Sequence, residues 1–177
     1  MRYFLVKSFL FLLCVIVPRE PIEGQTLQID RLKANYLVNF ADFVLWHGQA
    51  KTNGITIGVL NDPDLELELE KISNASKEDR PLRVVSLDGT ESEALEHLDI
   101  LFAGNGREKV WKSMRDHCEG LTILLVGEDR DFLKDGGAIQ FTFRKNRLQF
   151  YVNQENANAL GIQLSSKLIE LTAGRPK

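Results

Sequence analysis

The residues with most chemistry to offer are three histidines, His47, His97 and His117, the last of them beside Cys118. A thiol next to an imidazole suggests a nucleophile and its base. Adjacent residues on a helix point about 100° apart, so this pair does not form a hydrogen-bonded dyad. A histidine at a helix C-terminus complements the helix dipole, and His117 is read that way. None of the three histidines has a metal-ligating partner at i+4 or a carboxylate in a recognisable motif.

The stretch GNGREK, residues 104–109, follows an apolar run and opens a helical pattern. Free N–H groups at such a place can hold an anion. Asn105, Gly106 and Arg107 are therefore candidate ligand contacts, and Ser165 and Ser166 are two more. The dinucleotide fingerprint needs a third glycine where Lys109 stands, and no P-loop is present. Asn105 as a helix cap is the simpler reading. DGG, residues 135–137, reads as a turn into a hairpin. Glu128, Asp129 and Asp131 could gather a hard cation, but charge runs usually mark solvated faces. No catalytic set, metal site or cofactor is expected.

The elements that position these residues follow from composition and periodicity. The chain has 177 residues, 44% hydrophobic and 27% charged, which suits one ordinary domain. Its net charge of -3 argues against nucleic acid as a partner. Arg2 and Lys7 precede the uncharged run Ser8 to Val17, which is too short to span a bilayer. Residues 1–24 are read as a signal peptide that exports a soluble protein to the periplasm, with cleavage after Gly24. Cys14 lies in this run behind the large Leu13, where a lipidation site wants a small residue. Cys118 is then the one cysteine of the exported domain, which rests on its core without an internal disulfide.

Apolar spacing predicts a helix over 30–47, with Asp30 at its start and Gly48 at its end. Its face of Leu32, Tyr36, Phe40 and Phe43 is wide enough to be buried. Asn39 is expected to tie this helix to a neighbouring loop. A strand follows at 54–60, then a helix through 65–72 capped by Asp62 with Pro63 at its first position. Strands at 80–87, 99–104 and 121–128 alternate with helices at 93–98 and 106–120. The run at 121–128 is apolar enough to be central. IQFTF and RLQFYVN flank residues 144–146 as a hairpin, a helix at 155–162 ends at Gly161, and 165–174 forms a last helix or edge segment. The fold class is α/β, a single-domain sandwich with a mixed, largely parallel sheet flanked by helices and a C-terminal β-hairpin.

Four stretches together resemble the YfiR family of small periplasmic regulators. LKANYLVNFADFVLW resembles that family's L-K-A-x-Y-x-x-N-F-x-x-F-x-x-W. ITIGVLND resembles its first strand, and LDILFAG and LTILLVGE a later pair. GGAIQFTFRKNRLQFYVNQENANALGIQLSSKLIEL resembles G-G-x-I-x-F, N-R-x-x-F-x-V-N and A-x-x-x-G-x-x-x-S-S-K-L. The likeness places a family domain over 28–173. It implies a non-enzymatic regulator that binds the periplasmic region of an inner-membrane diguanylate cyclase. Repression there lowers cyclic di-GMP signalling and biofilm formation. The resemblance further implies release by an outer-membrane lipoprotein, and it admits a homodimer. Some members carry cysteine pairs, whereas Cys118 has no partner in the expected mature chain.

Candidate partner contacts are Trp46, expected to be exposed at a helix end, and the hairpin edge Phe150, Tyr151, Val152 and Asn153. The rival reading is a periplasmic small-ligand sensor or binding protein, with an anion or amino-acid-like molecule at 104–107.

Overall fold

Every residue of Ile100–Ala103 (β4) and Leu124–Gly127 (β5) is buried, as continuous apolar runs require when both faces of a sheet are covered. The computed structural model describes residues 22–48, 50, 53–76, 80–90, 92–172 and 174. The expected leader lies outside these residues, except that 22–24 open the first helix. The helices are α1 (Ile22–Phe40), α2 (Pro63–Ala75), α3 (Glu108–Arg115), α4 (Gln154–Ala159) and α5 (Ser166–Glu170). The remaining strands are β1 (Val44–Trp46), β2 (Ile55–Leu60), β3 (Leu82–Leu87), β6 (Ile139–Arg144), β7 (Arg147–Val152) and β8 (Ile162–Leu164).

Six strands form one sheet in the order β3-β2-β4-β5-β6-β7. All neighbours are parallel except the hairpin pair β6-β7, so the mixed, largely parallel α/β sheet is as expected. Side-chain alternation divides the core into two layers. Ile57, Val59, Phe102, Val126, Phe141 and Phe150 meet Leu37 and Phe40 of α1 and Leu65 and Leu69 of α2. Leu60, Leu87, Leu101 and Leu125 on the other face meet Trp111 and Met114 of α3 together with Leu95 and Phe132. Phe132 packs against Trp111 with ring centroids 4.7 Å apart and the rings tilted by 40°. A Cβ at Gly127 or at Gly137 would overlap the Phe132 ring, so both positions need their bare backbone.

Several expectations are corrected. The helix predicted over 30–47 starts at Ile22 and ends at Phe40, and a short 3-10 turn leads into β1. The backbone extends there because Val44, Leu45 and Trp46 pair antiparallel with Leu164, Gln163 and Ile162 of β8. The helix predicted over 155–162 runs Gln154–Ala159, a turn at 160–161 follows, and β8 starts at Ile162. Helix 93–98 is a 3-10 segment, Glu93–His97, and α3 stops at Arg115 with a 3-10 turn after it. Asn39 is exposed, on the polar stripe it shares with Asn35 and Asp42. The aromatic face of α1 belongs to the core: Tyr36 and Phe40 lie 5.8 and 5.2 Å from the Phe150 ring.

Candidate functional site

The hairpin edge is built by a two-residue turn. Lys145 and Asn146 sit at φ 49° and 60°, the left-handed pair of a type I′ turn. With such a turn Arg144 and Arg147 exchange both backbone hydrogen bonds, and the pattern alternates along the ladder. Gln149 and Tyr151 therefore bond to β6, while Leu148, Phe150 and Val152 turn their N–H and C=O groups outward. Strand β7 ends the sheet, so that outward row has no neighbouring strand among the described residues. The side chains do the opposite. Phe150 is 3% exposed under α1, and Tyr151 is 8% exposed with its hydroxyl accepting from Arg144 Nη1 at 3.1 Å. Asn153 caps α4 by accepting from the Asn156 amide at 3.1 Å, and its own N–H donates to Ala138. Of the expected contact residues on this edge, Phe150 and Val152 present outward backbone, whereas the backbone of Tyr151 bonds to β6 and the Asn153 N–H to Ala138.

Trp46 does not provide exposed surface. Alternation along β1 turns Val44 and Trp46 inward and Leu45 outward, and Trp46 is 5% exposed. Its indole N–H has no acceptor among the described residues. It lines a cleft of about 690 Å³ at the amino ends of β2 and β4, with His47, Arg83, His97, Asp99 and Thr122. His47 Nε2 lies 2.5 Å from the Thr122 hydroxyl. Asp99, in the same lining, accepts from the Thr56 amide at 2.8 Å.

The loop at 104–107 sits at the carboxyl ends of the strands, where the sheet order reverses between β2 and β4. Ligands of open α/β sheets favour that crevice. Here the chain's own carboxylates occupy the donors an anion would use. Glu128 accepts from the Asn105 amide at 3.3 Å, and Asp129 from the Gly106 amide at 2.9 Å. The Arg107 guanidinium donates to the Asn61 carbonyl at 2.8 Å. Arg107, not Asn105, stands at the cap position of α3, whose first residue is Glu108. Ser165 caps α5 through a bond from the Leu168 amide at 3.2 Å, and Ser166 is exposed beside it. These serines are on α5, apart in sequence and role from the 104–107 loop. Among the described residues no group of three His, Cys, Asp or Glu side chains is placed to hold a metal ion. Cys118 is buried, and burial pushes its thiol up to about 11, far from a reactive thiolate.

Lys33 of α1 crosses this crevice. Its ammonium lies 2.9 Å from Asp30 and 3.0 Å from Glu128, with the lysine side chain 9% exposed. Burial works against its charge, but the two carboxylates outweigh it and the lysine pKa is raised. Asp62 caps α2 by accepting from the Leu65 amide at 3.2 Å. Burial raises its carboxyl above the usual range, against the pull of the Leu65 amide and the Lys33 charge. Such a carboxyl stabilises the fold below its unfolded pKa and loses that contribution as pH rises through the folded value. Asp62→Asn keeps the cap, since Asn caps as well as Asp, and removes the ionisation. The variant is expected to melt above wild type at neutral pH, with the gap closing in acid below the ordinary carboxylate pKa. A melting-temperature series against pH with a constant gap would reject this reading of Asp62.

Residues 30–173 match the family model described as YfiR/HmsC-like. The crystal structure of a conserved domain protein from Vibrio cholerae O1 biovar El Tor strain N16961 is similar, with a TM-score of 0.56 and 12% identity. The match covers 81% of this chain and 59% of that one, so this chain spans about three fifths of its length. At that identity the likeness concerns the fold. No curated protein matches the sequence. Among the described residues no helix is long and apolar enough to cross a membrane.

Proposed function

Because the chain belongs to the YfiR/HmsC-like family, we propose that it is a periplasmic, non-enzymatic regulator of cyclic di-GMP signalling. It binds the periplasmic region of an inner-membrane diguanylate cyclase and holds that enzyme inactive. The observation that carries this reading is the family match over 30–173. Repression requires a preference for the inactive cyclase. Moving an equilibrium from almost all active to almost all inactive takes about 10⁴-fold tighter binding of the inactive form, roughly 5.5 kcal/mol.

The contact is proposed at β7. Its outward backbone row supports addition of a partner strand, in which main-chain bonds supply affinity. Val152→Pro tests this. The Val152 N–H points away from β6, so proline there leaves the hairpin ladder intact and blocks a bond to an added strand. The melting temperature is expected to hold, and the dissociation constant for the immobilised cyclase region to rise about tenfold, the scale of a lost backbone bond with a ring in its place. A folded Val152→Pro protein that binds like wild type would exclude the edge. If no periplasmic cyclase region from the same genome retains the wild-type protein, the repressor reading fails.

A further inference from the structure

The hairpin that carries β7 has a tip unlike the rest of the molecule. Strand β5 ends at Gly127 opposite Gln140, while β6 continues through Arg144. At ~3.3 Å per residue the tip overhangs its neighbour by about 13 Å. Arg144, Lys145 and Arg147 are exposed on it, in a chain of net charge -3. Arg144 reaches only the Tyr151 hydroxyl, and no ion pair engages any of the three among the described residues. Phe143 stands among them with half of its surface exposed. A groove beside it continues the apolar surface through Leu32, Tyr36 and Leu148. Neither of the two grooves at the tip has a carboxylate in its lining. The carboxylates after β5, Glu128 and Asp129, begin where the overhang begins. That separation is on the order of one Debye length, ~10 Å at 0.1 M salt.

We propose that this tip docks on an anionic phospholipid surface, with Phe143 entering the headgroup layer and Arg144, Lys145 and Arg147 contacting lipid phosphates. An aromatic ring flanked by long cationic side chains suits a layer that is charged outside and apolar beneath. An acidic protein partner is the weaker fit. Carboxylate recognition by arginine gains most from a guanidinium held in place, whereas Lys145 and Arg147 are unanchored. A diffuse layer of phosphates needs no such geometry. Docking would hold the protein at the bilayer by the hairpin tip, away from the outward backbone of Phe150 and Val152.

The test is co-sedimentation of the purified protein with vesicles. Binding is expected with phosphatidylglycerol in phosphatidylcholine, not with phosphatidylcholine alone, and is expected to be lost at high salt. Each cation contributes about fivefold to retention, so the R144Q/K145Q/R147Q variant should lose about a hundredfold. Phe143→Ser should also weaken binding, and both variants should melt like wild type. Should the triple variant melt low, Lys145→Asn supplies the same test. Asparagine favours the left-handed backbone at that position, and one lost charge should cost about fivefold. Equal binding to neutral vesicles, unchanged binding of the charge variants, or retention by an acidic protein without vesicle binding would overturn the proposal. The vesicles contain no cyclase, so this result and the repressor reading stand or fall separately.

Discussion

Lys33→Met is expected to lower the unfolding free energy by about 3–5 kcal/mol, because it leaves two carboxylates buried without their cation. Asp30 and Glu128 both lie within 3.0 Å of the Lys33 ammonium. Their side chains are 5% and 17% exposed, so water replaces little of the lost contact. The methionine stem fills the same space, which separates the electrostatic loss from a packing loss. Adding Asp30→Asn should restore part of the stability at neutral pH. Urea unfolding of the three proteins measures this. A Lys33→Met protein within 1 kcal/mol of wild type, on the scale of exposed pairs, would place the bridge among surface ion pairs of little weight.

Phe132→Ala is expected to cost about 3–5 kcal/mol, the range for emptying an aromatic site in a packed core. The ring lies against Trp111 on one side, and the bare backbones of Gly127 and Gly137 accept it on others. Asn156 steadies the same loop by donating to the carbonyls of Leu133 and Gly137 at 2.7 Å each. Gly137→Ala should cost about 1–3 kcal/mol by pushing a methyl group into the ring. In the Phe132→Ala background the same change should cost much less, because the ring it strikes is gone. A double-mutant cycle therefore distinguishes a steric clamp from a backbone requirement at Gly137. Additive losses would favour the backbone.

The parts of this fold visible in sequence are those fixed by local pattern. The apolar runs of β4 and β5, the Asp62-Pro63 start of α2 and the Lys145-Asn146 turn each carry their own signal. The missed parts depend on distant pairing. Val44 to Trp46 continue the apolar spacing of α1, and only β8, more than a hundred residues on, draws them into a strand. That pairing turns Trp46 into the core, where helical spacing places it at a surface. Asp30 reads from sequence only as a helix start, and its bridge to Lys33 forms with Glu128, which arrives from the end of β5. The same carboxylate, with Asp129, occupies the amides that made 104–107 look like an anion site. Phe150 belongs to the hairpin edge expected to accept a partner strand. Its pairing with Phe141 puts the side chain inside and leaves its backbone at the edge.

The repressor reading is tested most directly by intracellular cyclic di-GMP in a strain lacking the protein, compared with the same strain complemented. A clear rise on deletion, reversed by wild type and not by the Val152→Pro variant, is the result expected. An unchanged level across growth conditions would contradict repression of a cyclase and leave the family assignment to the fold alone.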